Sequence, residues 1–197
     1  QFGYSYECWQ RIVNTMLEKD PGQPKIHRMR VIHLYEADYN LILLVKWRKV
    51  LHHACTQRLI NESCYAQPGK EANDAVMVRG LEYEMSRITR KASVHFDNDA
   101  TSCYDRIPCF LANVASRKYG MNKKVCIVQG DNLAQAKYHL KTQFGVSDEF
   151  ISHCEVYPIF GSGQGSGNSP TIWLFISSTL FDIYDTKAKG STYETRD

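Results

Sequence analysis

The sequence predicts a mixed α+β fold. Stretches with apolar residues at helical spacing alternate with short stretches in which polar and apolar side chains alternate. No internal repeat, low-complexity tract or clear linker interrupts the 197 residues. The hydrophobic content of 43%, with 12 Tyr and 8 Phe, is enough to build the core of one domain or a little more.

The first half of the chain predicts three helices and one strand. Residues 8–19 carry apolar side chains at helical spacing, so we expect a helix that ends at the turn KDPGQP. The alternating segment RMRVIHLYE predicts a strand. Helices are then predicted over Tyr39–Leu59 and Ala75–Arg90. The second of these is expected to turn an apolar face inward, formed by Val76, Leu81, Met85 and Ile88.

A second strand, SVHFDNDA, is predicted to expose His95, Asp97 and Asp99 on one face. We expect YDRIPCFLANVASRKYG to continue as a helix that Asp105 caps and Gly120 ends. The apolar spacing of Leu133, Ala136, Leu140 and Phe144 predicts another helix, over 132–144. A last helix, capped by Asn168 and Ser169, is expected to bury Ile172, Phe175 or Ile176, Leu180 and Ile183.

Charge and composition limit the classes of function. The net charge is only +3, but residues 25–58 carry an excess of Lys and Arg that could hold a polyanion or simply form a solvated helix face. No apolar run is long enough to cross a bilayer, and QFGYSYECWQ has no signal-peptide pattern. The seven cysteines form no C-x-x-C pair, which favours reduced, intracellular thiols over a zinc site or a disulfide framework.

Two segments suggest chemistry. The acids of HFDNDATSCYDRI would repel one another unless a divalent cation or a hydrogen-bond network compensates them. The four glycines of GSGQGSGNSP allow positive φ and close approach to a ligand, and the following helix N-terminus favours a phosphate. Their spacing matches neither the Rossmann nor the P-loop pattern, so a plain tight loop is an equal alternative.

Together these segments resemble reverse transcriptases. DATSCYD is similar to motif A of that family, with Asp99, Tyr104 and Asp105 at the family spacing, and QGSGNSP is similar to motif B. Upstream, RMRVIHLYEADYN resembles the fingers segment R-P-I-x-L, although Val31 replaces the proline, and YAQPGKEANDAV resembles the next fingers segment. The four motifs follow the family order over most of the chain, and the likeness is greatest to non-LTR retroelements of microbial eukaryotes.

The resemblance implies a right-hand polymerase, with a fingers-like region over 1–92 and a palm-like region over 93–197. Such an enzyme adds deoxynucleotides to a DNA primer on an RNA template with two Mg²⁺ ions, which Mn²⁺ can replace. Asp99 would be the catalytic carboxylate and metal ligand, and Ala100 would offer its carbonyl to the same metal site. Asp97 shares the strand face with Asp99, but the residue five positions beyond it is Ser102 rather than an aromatic.

The resemblance also assigns nucleotide contacts. The ring of Tyr104 would exclude a 2′-hydroxyl and thereby separate deoxynucleotides from ribonucleotides. Arg30, with Arg28 and Lys25 as further candidates, would contact the triphosphate. Gln164 and Gly165 would line the pocket for nucleotide and template. Each assignment has a structural alternative. Tyr104 could be a core aromatic, the three cations could be surface residues, and Gln164 with Gly165 could serve only to support the loop.

The family's aromatic-x-Asp-Asp motif C is not found in these residues, and Tyr184-Asp185 does not match it. We therefore expect a fragment that ends before motif C and is inactive in isolation. A non-catalytic nucleic-acid-binding remnant of a retroelement, or another palm-type nucleotide-handling enzyme such as a cyclase, is the alternative. The analogy implies an intracellular protein, nuclear in a eukaryotic retroelement.

Overall fold

The computed structural model has an α+β architecture, which confirms the predicted fold class. It describes residues 5–22, 25, 28–92, 94, 100, 102–154, 156, 159 and 161–192, with 188–192 described by their backbone. Within that part of the chain, four strands form one mixed sheet and five α-helices accompany it. The predicted strand at 93–100 lies almost entirely outside the described residues.

The sheet has the strand order β2-β1-β3-β4, where β1 is Arg11–Glu18, β2 is Met29–Leu34, β3 is Lys137–Thr142 and β4 is Gly145–Ser152. β1 pairs antiparallel with β2 and parallel with β3, while β3 and β4 pair antiparallel. The sheet thus joins strands from both sides of residue 92, the predicted region boundary. β2 is an edge strand of the described sheet, and its free edge becomes important at the candidate site.

The helix predicted over 8–19 is wrong. A short 3-10 turn over Glu7–Gln10 leads directly into β1, where only Ile12 is fully buried. β-Branched Ile12, Val13 and Thr15 suit a pleated strand, and pairing on both edges outweighs the apolar spacing that suggested a helix. Pro21 and Gly22 still form a turn after this element, and the strand predicted from RMRVIHLYE is confirmed as β2.

Two predicted helices are confirmed with small shifts of their ends. They are α1, Ala37–Thr56, and α2, Ala72–Thr89. Each helix is followed by an arginine in the left-handed region, Arg58 two residues after the end of α1 and Arg90 directly after α2. In each case the next amide bonds back into the last turn, to Ala54 O and Ser86 O respectively. Glycine is the usual residue at such positions.

The three remaining helices are α3, Cys109–Lys118, α4, Lys123–Gln135, and α5, Ser169–Thr192. With α1 they enclose the main core. Its largest fully buried side chains are Trp47, Tyr39, Tyr119, Phe175 and Ile172. Trp47 Nε1 donates to Ser116 Oγ at 3.1 Å, and the rings of Tyr119 and Phe175 stack with centroids 4.4 Å apart. Trp47 and Ser116 thus satisfy each other inside this core, whereas the buried hydroxyl of Tyr39 has no hydrogen-bond partner among the described residues.

The helix predicted over 132–144 is half wrong. α4 ends at Gln135, Ala136 takes an extended conformation, and β3 begins at Lys137. A turn with Gly145 at φ +129 then leads into β4. Of the predicted inner face, Ala136 is buried and Leu133 is half-buried, but Leu140 and Phe144 are exposed. Ala136 packs with Ile12 and Tyr138 in a second core cluster at the sheet rather than along a helix.

Two predicted inner faces differ from the structure. In α2, Val76, Leu81, Met85 and Ile88 are all at least 58% exposed, and no residue of this helix is buried. In α5, Ile172, Phe175 and Ile176 are buried as predicted, whereas Leu180 and Ile183 are about half exposed. α5 begins at Ser169, directly after Asn168, and contains Tyr184-Asp185. None of the described helices is both long and apolar enough to span a membrane.

Candidate functional site

The loop Gly161–Gly167, which we call the glycine loop, lies in close contact with three other segments. Gly161, Gly163 and Gly165 have φ of +90, +73 and +123. A Cβ on Gly161 would overlap the carbonyl oxygen of Tyr104, and one on Gly165 would overlap that of His33. A Cβ on Gly163 would lie 2.7 Å from His33 Nδ1. The close approach expected of a ligand is thus made by the protein's own backbone and side chains.

Hydrogen bonds hold the glycine loop against the free edge of β2. The amide of His33 donates to Gln164 O at 2.7 Å, and the hydroxyl of Tyr35 donates to Ser162 O at 2.6 Å. From α1, Asn40 Nδ2 donates to Gly165 O at 3.2 Å, and Asn40 Oδ1 accepts from the amide of Gly167 at 2.6 Å. The loop therefore covers a sheet edge that would otherwise present an unpaired amide.

Buried serines join the glycine loop to the start of α5. Ser169 Oγ donates to Gly163 O at 2.9 Å and lies 2.6 Å from Ser162 Oγ. Since the Ser169 proton is used on Gly163, Ser162 is the donor between the two hydroxyls. Ser166 Oγ donates to Asn168 Oδ1 at 2.6 Å. The side chains between the glycines thus make the loop's internal contacts.

The segment after the predicted catalytic strand forms a 3-10 turn over Cys103–Arg106, which we call the tyrosine turn. Ser102 enters it with φ +50, and the amide of Asp105 donates to Ser102 O at 3.0 Å. Tyr104 is half-buried, and burial raises the pKa of its hydroxyl. The main chain of this turn is the part that Gly161 contacts.

Asp105 is not the helix cap that the sequence predicts. The turn of Asp105 ends before Ile107, and α3 begins later, at Cys109, with Pro108 in the capping position. Asp105 Oδ1 is buried and has no hydrogen-bond partner among the described residues. A buried carboxylate oxygen without a partner is costly. The negative charge of Asp105 also acts on His33.

His33 is one of three residues at this site, with Tyr35 and Asn40, that sequence reasoning missed. Its ring lies between Tyr35 and Tyr138, with centroid distances of 6.3 Å and 5.7 Å, and its buried Nδ1 has no partner among the described residues. Burial lowers the pKa of His33, while the negative charge of Asp105 acts in the opposite direction. Burial also raises the pKa of Tyr138, to about 12. The site is therefore lined by neutral rings.

The structure brings together some of the predicted residues. Tyr104 lies at the tyrosine turn beside the glycine loop that carries Gln164 and Gly165. Gln164 is half-buried and Gly165 is exposed. Asp97 and Asp99 lie outside the described residues, and Ala100, which follows them, is exposed. The segments that resemble motif A and motif B thus lie against each other.

The predicted phosphate contacts Arg30, Arg28 and Lys25 lie on β2 or just before it, and all three are exposed. Arg30 is exposed on β2 opposite Leu17, on the other face of the strand from His33. Arg28 is exposed and forms an ion pair with Asp20 at 3.5 Å, and Lys25 is also exposed. Arg30 would therefore have to reach a ligand at the loop from around the strand edge.

The described residues do not by themselves form a metal centre. Among them, no group of three or more His, Cys, Asp or Glu side chains could hold a metal ion. Of the predicted Mg²⁺ ligands, only the Ala100 carbonyl is described, and a single carbonyl does not satisfy a cation that prefers several oxygen ligands. The fit of Mg²⁺ depends on Asp99.

Comparisons with known proteins do not assign the chain to a family. No protein-family model matches the sequence, and no curated protein matches it. The resemblance to reverse transcriptases consequently depends on the sequence motifs alone.

Proposed function

We propose that this chain is part of an RNA-directed DNA polymerase that adds deoxynucleotides to the 3′-hydroxyl of a primer. The observation that supports the proposal is the junction of three segments that are distant in sequence. The glycine loop bonds to the edge of β2 at His33 and lies against the tyrosine turn at Tyr104. These are the segments that resemble motif B, the fingers strand and motif A.

Each segment would have a separate role. Asp99 would hold Mg²⁺ with the Ala100 carbonyl, and the bound ion would supply the positive charge that nucleotidyl transfer requires. Tyr104 would orient the sugar of the incoming nucleotide and exclude a 2′-hydroxyl. Gln164 and Gly165 would contact the base and template. Arg30, assisted by Arg28 or Lys25, would bind phosphate oxygens from the edge of β2.

Primer extension on an RNA template tests the proposal. Because no two adjacent aspartates occur in the 197 residues, the assay uses a polypeptide that continues them with an aromatic-x-Asp-Asp hairpin, beside the 197-residue chain. Asp99→Asn keeps the side-chain size but removes the charge, so extension should fall by about 100-fold or more. Asp97→Asn is the matched control and should retain most of the activity. Equal activity of Asp99→Asn and the unchanged polypeptide would contradict the proposal.

The role of Tyr104 is separated from that of Asp99 by nucleotide selection. Tyr104→Ala should admit ribonucleotides, whereas Tyr104→Phe keeps the ring and should select as the unchanged polypeptide does. Unchanged exclusion of ribonucleotides by Tyr104→Ala would assign Tyr104 to the core.

Arg30→Ala should chiefly raise the KM for deoxynucleotides, since it removes a phosphate contact and no metal ligand.

Exposed cations favour a second function, nucleic-acid binding without catalysis. Lys46, Arg48 and Lys49 are exposed on α1. Just beyond this helix, Arg58 and Lys70 line an open cavity of about 530 Å³, which no residue of the glycine loop lines. A chain with only this function would bind primer-template in a salt-dependent manner, and Asp99→Asn would bind equally well. Extension that depends on Asp99 distinguishes the two functions.

A further inference from the structure

Asn40 uses both ends of its side-chain amide on the glycine loop. The residue lies in the first turn of α1 and is half-buried. Its Nδ2 donates to Gly165 O, and its Oδ1 accepts from the amide of Gly167. An aspartate could accept from Gly167 but could not donate to Gly165, and an alanine could do neither. The arrangement therefore requires a carboxamide.

The glycine loop depends on such external contacts because its own backbone is unusually free. Glycine loses more conformational freedom on folding than any other residue, and three glycines of this loop take positive φ. The described contacts that fix the loop to the strand and to α1 are those of the His33 amide, the Tyr35 hydroxyl and the Asn40 amide. Of these three residues, Asn40 is the one that fixes the exposed Gly165 and also Gly167.

The contacts of Asn40 lie directly beside the proposed nucleotide contacts. Gln164 is bonded through its carbonyl to His33, and the neighbouring Gly165 through its carbonyl to Asn40. A Cβ on Gly167 would lie 2.9 Å from Leu44 Cβ, so the far end of the loop also lies tightly against α1. A change at Asn40 would therefore alter the position of Gly165 first.

We infer that Asn40 is a positioning residue that orients Gln164 and Gly165 for binding a deoxynucleoside triphosphate, acting through the main chain of the glycine loop. The inference rests on the proposed function, since it assumes that the loop contacts the nucleotide. Asn40 itself touches the loop and not the ligand. Its effect is accordingly expected on nucleotide binding and on loop order together.

The experiment combines hydrogen exchange on the 197-residue chain with photo-cross-linking on the polypeptide that continues it with the aromatic-x-Asp-Asp hairpin. Hydrogen exchange of single amides by NMR reports the loop, and photo-cross-linking with Mg²⁺ and an azido-dATP reports nucleotide binding. In Asn40→Ala, exchange of the Gly167 amide should accelerate at least tenfold, and cross-linking should fall several-fold. In Asn40→Asp, the Gly167 amide should stay protected because its acceptor remains, while cross-linking falls because Gly165 loses its donor.

Asn122→Ala is the matched control. Asn122 Oδ1 accepts from the amide of Lys124 at the start of α4, so this substitution also removes a helix-terminal Asn contact. It should lower thermal stability yet leave loop exchange and cross-linking unchanged. A loss of cross-linking equal to that of Asn40→Ala would reduce Asn40 to a general stability effect and overturn the inference.

The remaining outcomes separate the inference from the proposed function. Cross-linking of Asn40→Ala at the level of the unchanged chain overturns the positioning role and leaves the proposed function standing. Absence of cross-linking in the otherwise unchanged extended polypeptide, with accelerated Gly167 exchange in Asn40→Ala, contradicts nucleotide binding itself and so overturns both. A split between the Asp and Ala variants in loop exchange, with reduced cross-linking in both, supports the inference.

Discussion

At Gly161, Gly163 and Gly165 the backbone takes a positive φ and lies so close to a neighbouring segment that no side chain fits without displacement. The neighbours are the tyrosine turn for the first of these glycines and His33 for the other two. At the scale of the residue, the glycines thus serve the internal fit of the loop. This requirement can be separated from ligand binding by measuring stability.

Gly165→Ala should destabilise the protein, because alanine is strained at φ +123 and its Cβ would overlap the carbonyl oxygen of His33. We expect the free energy of unfolding to fall by about 1–3 kcal/mol from backbone strain alone. Gly80→Ala in α2 is the control: apart from its own helix, no atom of the described residues lies within 4 Å of its Cβ position, and alanine should gain about 0.5–1 kcal/mol in a helix. Urea unfolding of both variants measures the difference. Effects of the same sign would contradict this account.

His33 should make stability depend on pH. Burial lowers its pKa in the folded state below the ordinary value of 6.5, so the unfolded chain takes up the proton first as the pH falls. The contribution of His33 is therefore complete above pH 6.5 and is lost as the pH drops toward the folded pKa. His33→Gln should flatten the decline of Tm between pH 7.5 and 5, whereas exposed His52→Gln should not. Parallel profiles for the three proteins would show that His33 does not titrate in this way.

At the scale of the element, the same apolar spacing has opposite outcomes. In α1 it buries Tyr39, Leu43 and Trp47 along one face, as expected of a helix. In β1 a comparable spacing belongs to a strand, because pairing with β2 and β3 determines which side chains are covered. Spacing alone cannot distinguish the two when an element is short.

The strand assignment of β1 is tested by Ile12→Ala and Leu17→Ala, both at positions that a helix over 8–19 would turn inward. Ile12 is 0% exposed and Leu17 is 49% exposed. Ile12→Ala should therefore lower the free energy of unfolding by about 2–5 kcal/mol. Leu17→Ala should change it by about 0.5 kcal/mol or less. Similar losses at both positions, measured by chemical denaturation, would support the helix instead.

At the scale of the whole molecule, the main core is concentrated between α1, α3, α4 and α5, while α2 contributes no buried residue. The apolar stripe of α2 consists of Met77, Val78, Leu81, Met85 and Ile88, and each of these is at least 43% exposed. The stability of the fold should accordingly be insensitive to the polarity of this stripe.

Leu81→Gln and Phe175→Ala test that distribution. Leu81 is 63% exposed, so the polar replacement should shift the free energy of unfolding by no more than about 0.5 kcal/mol. Phe175 is fully buried and stacks on Tyr119, so its truncation should cost about 3–5 kcal/mol. Thermal unfolding followed by circular dichroism compares them. A loss of 2 kcal/mol or more for Leu81→Gln would mean that α2 packs on the protein in solution.

The parts of the fold that the sequence predicts are those fixed by local patterns. β2, α1, α2 and the buried beginning of α5 follow from periodicity, and the positive φ of Gly120 follows from its place after a helix. β1, β3 and β4 could not be predicted in this way because distant strands determine their pairing. The end of α4 was also missed, although Gly145 marks the hairpin that follows.

The candidate site divides similarly. Spacing within motifs selects Tyr104, Gln164 and Gly165, and the structure brings the segments that carry them together. His33, Tyr35 and Asn40 lie in the segment compared with the fingers motif but at none of its matched positions, so they are recognisable only from their contacts. Asn40, for example, bonds to residues 125 and 127 positions away. No local pattern encodes a contact over such a separation.

The central pairing of the sheet also bears on how the chain folds. β1 can pair with β2 through a short connection, but its parallel partner begins only at Lys137, which lies opposite Arg11. Closing so long a loop costs chain entropy before any stabilising contact forms to offset that cost. Non-local pairing of this kind therefore slows folding. During synthesis, the hairpin of β1 and β2 would leave the ribosome with one edge unpaired until β3 follows. We expect misassembly to be favoured in that interval, because an unpaired strand edge is exposed, and a chaperone that shields this edge should raise the yield of folded chain.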